Sequence, residues 1–302
     1  MITIHDVVKR CESSIRLMEY VRALENKDSR ARAKQVLVAL AALGIQPAIQ
    51  ECRWPRVTNI VVDFSHQSGE KQLLFSAHYD VVKGSPGAND NASGVAVLLG
   101  LCHELRYGRV PVRIVFFDRE EAWLRTPMLR LGLLGSLCYA CKANLRSIAA
   151  VYNLELCGSG DFLAIWPVKA KETSLPALRE VEKAASRLAL PFKSAHIPWP
   201  FLSSDHLSFR LRGLANALTL SLLPQSQVPT FESLLSRVSL LKLLAGRRPV
   251  LPEPLSFIHS DKDTSSNLSE NSLRLMLSLS LELIQSYRPQ AIRFALQDYS
   301  NT

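Results

Sequence analysis

The sequence predicts an α/β fold: a mixed, mostly parallel central sheet flanked by helices. Three observations predict it. Short runs rich in β-branched and aromatic residues recur along the chain, several apolar at every position, as strands buried on both faces require. Segments with apolar residues at three- and four-residue spacing separate the later runs. Hydrophobic residues make up 47% of 302 positions, enough for one large core or two small ones.

In chain order, Val7, Val8, Ile15, Leu17 and Met18, then Val36, Leu37, Leu40 and Leu43, stand at helical spacing. They predict two helices before the sheet, the second ended by Gly44. Strands are expected at 48–52, 58–64, 72–78, 112–117, 149–154, 162–166 and 215–220. Helical patterns fall at 92–106, 136–145, 172–190 and 205–211, giving the alternation of an α/β sandwich. Between Leu223 and Ser256, five prolines interrupt a leucine-rich stretch, which predicts a long excursion holding one short helix. Loops of that length often rim a site. An amphipathic helix from about Glu270 to Tyr287 completes a single domain spanning 1–302, with the N-terminal helices at 1–45 and the irregular excursion at 224–256.

The formal charge of +9 raises the question of an acidic partner. The bases are dispersed from Lys9 through Arg125 and Arg130 to Arg293, and no nucleic-acid-binding motif accompanies them, so a solvated basic surface is expected and no nucleic acid. Val36–Ile45 is too short to span a bilayer, and Met1–Arg16 mixes acids and bases where a signal peptide would be apolar. The expectation is a cytoplasmic protein without a membrane partner. Six thinly spread cysteines fit free thiols in a reducing compartment. Cys138 and Cys141 form a lone C-x-x-C with no second Cys or His pair at zinc-finger spacing, so neither a structural zinc nor a redox role is assigned to it.

The chemistry gathers where strands end. His78 and Asp80 close the run LLFSAHYD, Glu120 and Glu121 follow VRIVFFDREE, and Glu155 closes VYNLEL. In open α/β sheets ligands bind beyond the carboxyl ends of strands, so three segments deliver an imidazole and carboxylates to one rim. Asp90 lies in GANDNASGVAVLL before a helical run, where its simplest reading is a helix cap together with Asn91. Gly87 and Gly94 also allow a tight backbone there, in which a carboxylate could bridge two cations about 3.5–4 Å apart. Singly, His78 reads as a core histidine, Glu120–Glu121 as a solvated pair and His259 as a loop residue. Together they form a donor set of imidazole and carboxylate that suits zinc.

The segments SAHYDVV, GANDNASG, FFDREEAW with GLLGS, NLEL, SSDHLSF and FIHSDKDT, in this order from about Leu73 to Thr264, resemble the zinc aminopeptidases of peptidase family M28. The resemblance implies two zinc ions in a zinc-exopeptidase α/β/α sandwich. His78 and Glu155 would hold one ion, Glu121 and His259 the other, and Asp90 would bridge both. Glu120 would be the general base, and Asp80 would orient His78 through its second ring nitrogen. Asp205 and Asp263 would support these ligands. The expected substrate is a peptide with a free N-terminus.

Three features depart from the family pattern. Glu155 stands where Asp is usual, residues near Leu124–Leu131 lengthen the link after the glutamate pair, and Ile258 replaces a tyrosine that some members carry. A glutaminyl cyclase, with one zinc on the equivalents of Asp90, Glu121 and His259, is the alternative enzyme. A non-enzymatic binding module on the same fold is the alternative outside catalysis.

Overall fold

The computed structural model describes residues 16–53, 56–65, 70–121, 124–125, 130–166, 174–194, 204–237 and 250–287. Helices α1 (Leu17–Leu24) and α2 (Ser29–Ala42) precede strands β1 (Ala48–Cys52), β2 (Val57–Asp63) and β3 (Gln72–His78). An irregular turn, Ala88–Ser93, opens α3 (Gly94–Leu105), which leads to β4 (Val112–Phe117) and a small ribbon of β5 (Leu124–Arg125) and β6 (Arg130–Leu131). Then follow α4 (Leu134–Lys142), β7 (Ile148–Leu154), β8 (Phe162–Trp166), α5 (Pro176–Arg187), β9 (Phe192–Ser194), α6 (His206–Leu211) and β10 (Ala217–Leu223). The described residues end with α7 (Val228–Arg237), α8 (Glu253–Phe257) and α9 (Glu270–Tyr287).

Eight strands form one sheet in the spatial order β1-β2-β4-β3-β7-β10-β8-β9. The central strands β4, β3, β7 and β10 run parallel, and the antiparallel pairings lie outward, at β1/β2, β2/β4 and β8/β10. The expected mixed, mostly parallel sheet flanked by helices is thus the fold formed. All seven residues of β3 are buried, as befits a middle strand covered on both faces. The chain leaves β3 to form β4 on one side and later lays β7 on the other. That reversal opens a crevice at the carboxyl ends of these strands.

Alternation along the strands feeds two cores. Leu73, Phe75 and Ala77 of β3 pack with residues of α1, α2, α3, α5 and α9, whereas Leu74 joins Val115, Val151, Tyr139 and Phe209 on the opposite face. A third cluster, around Trp166, Phe231, Leu234 and Leu255, ties α7 and α8 to the β8–β10 side. Across the first core, the Glu270 carboxylate accepts the backbone N–H groups of Leu17 (3.0 Å) and Met18 (2.7 Å). A negative charge there satisfies unpaired donors at the start of α1 and complements its dipole.

Several expected boundaries shift for local reasons. Helix α3 begins at Gly94 rather than residue 92, because the backbone at Asp90 and Asn91 is non-helical. Helix α5 starts at Pro176, whose fixed φ and missing N–H suit a first helical position. The described part of the excursion includes two short helices, α7 and α8, where one is expected, and β9 had no recognised pattern. Val7, Val8 and Ile15 lie outside the described residues, as does much of the leucine-rich stretch. No helix among the described residues is long and apolar enough to cross a membrane.

The free-thiol expectation is corrected at two positions. Cys52 on β1 and Cys138 on α4 form a disulfide, while Cys102, Cys141 and Cys157 are free. Cys138 therefore pairs across the fold and not within its C-x-x-C, because α4 packs beside the β1–β2 edge. A disulfide fits an oxidising compartment better than a reducing one. Cys52→Ser is expected to destabilise the oxidised protein by about 2–4 kcal/mol. Denaturant titration with and without reductant checks this: a variant as stable as the oxidised parent would contradict the pairing.

Candidate metal centre

The crevice collects side chains from five segments. His78 ends β3, Glu120 and Glu121 follow β4, Glu155 follows β7, Asp90 sits in the turn before α3, and His259 follows α8. His78 Nε2 lies 3.2 Å from Asp90 Oδ1, and His259 Nε2 lies 3.3 Å from Asp90 Oδ2 and 2.7 Å from Glu121 Oε1. Two triads result, His78–Asp90–Glu155 and Asp90–Glu121–His259, each able to place one donor atom within 4.8 Å of the others. Asp90 belongs to both and offers one oxygen to each histidine.

The turn that carries Asp90 is anchored on all sides. Asp263 accepts the N–H groups of Asn89 (2.6 Å) and Asp90 (3.1 Å) through its two carboxylate oxygens. Asn91, not Asp90, caps the start of the helix. Its Oδ1 accepts the N–H of Gly94 (3.1 Å) and its Nδ2 donates to the Leu154 carbonyl (2.9 Å). The cap reading of Asp90 is thereby corrected, since its neighbour takes the cap and leaves the Asp90 carboxylate in the crevice. Gly87 has φ +64°, and a Cβ there would stand 2.5 Å from both Arg32 Nη2 and Val81 Cγ2, so the turn requires glycine.

Asp80 has a wider part than orienting His78. Its Oδ1 lies 3.3 Å from His78 Nδ1, and its two oxygens accept the backbone N–H groups of Glu120 and Glu121, each at 3.0 Å. One carboxylate therefore sets the imidazole and the neighbouring glutamate pair together. Glu155 is held by the Ser204 hydroxyl and by Asn153 Nδ2 (3.4 Å). Asn153 in turn donates to Ser204 (2.7 Å) and Thr219 (3.3 Å) and accepts from Ser76 (2.9 Å).

Sequence reasoning missed Arg32, which is fully buried. Its guanidinium donates to the carbonyls of Leu24 (3.1 Å), Pro86 (2.8 Å) and Gly87 (2.9 Å), bracing the Asp90 turn from behind. A signal existed: Arg32, Val36 and Leu40 repeat at four-residue spacing on the buried face of α2. Ser204 carried no comparable signal, because its partner lies 49 positions away.

Burial dominates the electrostatics. It pushes Glu120 well above the usual carboxylate range, with Glu121 and Glu155 reinforcing the shift against His78. Burial likewise raises Glu155 to about 8, Asp205 to about 7 and Asp263 to about 6. For the histidines burial pulls the other way but loses: Asp90 and Glu121 lift His259 to about 9, and Asp80 and Asp90 hold His78 well above the ordinary value. Asp90 itself is held below the carboxylate range, where the two imidazoles overcome burial.

So many acids in one dry crevice call for compensating positive charge. The donor set of imidazole nitrogen and carboxylate oxygen suits divalent zinc. His78 Nε2 is buried and, although 3.2 Å from Asp90 Oδ1, makes no well-directed hydrogen bond, the condition of a donor atom aimed at a cation. The residues present therefore fit metal ions.

The sequence model of peptidase family M28 matches residues 59–284. The chain belongs to this family. Aminopeptidase YwaD of Bacillus subtilis (strain 168) is 37% identical over 94 residues, which span 29% of this chain and 18% of that protein. Among solved structures, the zinc aminopeptidase BSAP of Bacillus subtilis superposes with a TM-score of 0.56 at 21% identity, over 76% of this chain and 50% of its own. A glutaminyl cyclase of Porphyromonas gingivalis gives a TM-score of 0.64 at 17% identity, over 91% of this chain and 98% of its own. The M28 chain thus spans less than a fifth of one curated relative and shares its fold with both enzyme types.

These shifts fix a pH dependence. Without metal, Glu155 and His259 bind protons more tightly in the folded chain than in the unfolded one, where ordinary values are about 4.3 and 6.5. The folded state then holds more protons, so these two groups make stability fall as pH rises from about 4 to about 9. Zinc needs deprotonated ligands, so its stabilising increment grows over the same range. Melting curves of chelator-treated and zinc-loaded protein check both slopes; a flat or rising Tm after chelation would contradict the direction of these shifts.

Proposed function

We propose that this M28 chain is a metal-dependent aminopeptidase carrying two zinc ions. The observation that supports it best is the pair of triads sharing Asp90, with Glu120 beside them and needed by neither. His78 and Glu155 would hold one ion, Glu121 and His259 the other, and Asp90 both. When bound, such ions polarise the scissile carbonyl and acidify a water.

The chain's own residues complete the chemistry. Glu120, buried in the crevice and outside both triads, would take the proton of the attacking water and deliver it to the departing amine once metal charge holds it ionised. Asp80 keeps Glu120 and Glu121 in distinct roles by fixing both backbone N–H groups on one carboxylate. Carboxylates of the site that are not neutralised by metal would attract the free N-terminal amine of a peptide. Glu120→Gln preserves shape and removes the base, so metal content measured by mass spectrometry should be unchanged while kcat falls by about 10²–10⁴. Parallel loss of metal and activity would show that the roles of the two glutamates are misassigned.

Glutaminyl cyclase activity is the second reading, favoured by the near-complete overlap with a cyclase of similar extent. A cyclase of this fold would need only Asp90, Glu121 and His259, which leaves the pairing of His78 with Glu155 without a purpose. Mass spectrometry of an unblocked peptide library containing N-terminal Gln separates the two readings. Chelator-sensitive loss of N-terminal residues supports the aminopeptidase. Loss of ammonia from Gln peptides alone overturns it in favour of the cyclase.

A further inference from the structure

A cavity of about 820 Å³ adjoins the metal centre, with Asp80 and Glu121 in its wall. Its size is that of an ordinary ligand pocket. Four cations, Arg30, Arg56, Lys83 and Arg119, also line it. All four are exposed, and none forms an ion pair with a described residue. They come from four separate segments, so the concentration of positive charge follows from the fold and not from a run in the sequence.

Four cations face three acids in this wall, a formal excess of one positive charge, and two of the acids are turned to the metal centre. Asp80 is committed to two backbone N–H groups and His78, and Glu121 to His259 and the candidate metal site. Asp118, the remaining acid, accepts the Thr58 N–H at 3.0 Å and offsets part of the charge of Arg119, so the excess falls on Arg30, Arg56 and Lys83. Arg119 is held in place: its φ is +53°, uncommon outside glycine, and its carbonyl accepts the Leu134 N–H at 2.9 Å. The peptide N–H groups on its C-terminal side are those gripped by Asp80, so the backbone that carries the Arg119 side chain is coupled to that of Glu120 and Glu121.

We infer that this cavity binds the carboxylates of an acidic or very short peptide, making anionic peptides the preferred substrate class of the metal centre. This rests on the aminopeptidase reading. The positive wall adjoins Glu121 of the metal centre, where charge complementarity speeds encounter with an anion. The carboxylate could belong to a side chain or to the C-terminus of a short peptide. Both present the same chemistry to guanidinium groups.

Calorimetry on zinc-loaded Glu120→Gln protein tests binding without depending on turnover. The probes are Ala-Glu-Glu amide, Ala-Ala-Ala amide, Ala-Ala-Ala free acid and Ala-Lys-Lys amide. At low salt, Ala-Glu-Glu amide should bind at least about tenfold tighter than Ala-Ala-Ala amide, or about 1.4 kcal/mol. The gap should shrink as ionic strength rises and largely vanish in the Arg56→Glu/Arg119→Glu double variant. Tightening of the free acid over its amide assigns the C-terminus as a bound carboxylate; tightening confined to the glutamates assigns side chains. Equal binding of the amides, tightest binding of Ala-Lys-Lys amide, or a gap that survives the double reversal would overturn the inference. Hydrolysis of none of these peptides by the wild-type protein would instead count against the aminopeptidase reading, whatever their order of binding.

Discussion

Mutual repulsion among buried carboxylates is the constraint around which this structure is arranged. Asp80, Asp90, Glu120, Glu121 and Glu155 are all nearly inaccessible and share one crevice. Two like charges about 4 Å apart repel by about 4 kcal/mol at an effective dielectric near 20. Such a cluster persists only where opposite charge or aligned donors offset it. Imidazoles, backbone N–H groups and a buried guanidinium are the offsets the chain supplies, and the donor set fits metal ions as a further one.

The supports are distributed so that each acid has its own partner. Asp80 takes the N–H groups of the glutamate turn, Asp263 those of the Asp90 turn, and Glu155 the Ser204 hydroxyl. Arg32 braces the Pro86–Gly87 carbonyls while its charge faces Asp90 and Asp263. Glutamate in place of the aspartate usual in the family extends the reach of Glu155 by one methylene, and the Ser204–Asn153–Thr219 chain of hydrogen bonds holds that longer arm. Of the candidate ligands, His78, Glu121 and Glu155 thus stand at the ends of β3, β4 and β7, central strands of the sheet, where displacement is resisted by close packing.

Much of this is legible in the chain itself. β3 and β4 have the bounds that the sequence predicts, because a central parallel strand is mostly apolar and ends where a run of charged side chains begins. The same sharp ends place His78, Glu121 and Glu155 at one rim. The turn before α3 is less legible, since Asp and Asn are equally good caps and only the hydrogen bond to Gly94 distinguishes Asn91. β9 is three residues long and half-buried, too short to show alternation.

By itself the sequence determined the strand and helix pattern, the identity of the metal-capable side chains and their place at strand ends, because periodicity and residue chemistry are local properties. Tertiary structure decided which of them meet. The pairing of Cys52 with Cys138, the insertion of Arg32 behind the Asp90 turn and the capture of Glu155 by Ser204 join positions 86, 55 and 49 residues apart. The same holds for the four cations gathered beside Glu121. Each of these contacts depends on how sheet and helices pack, and packing is set by the whole core at once rather than by any window of sequence.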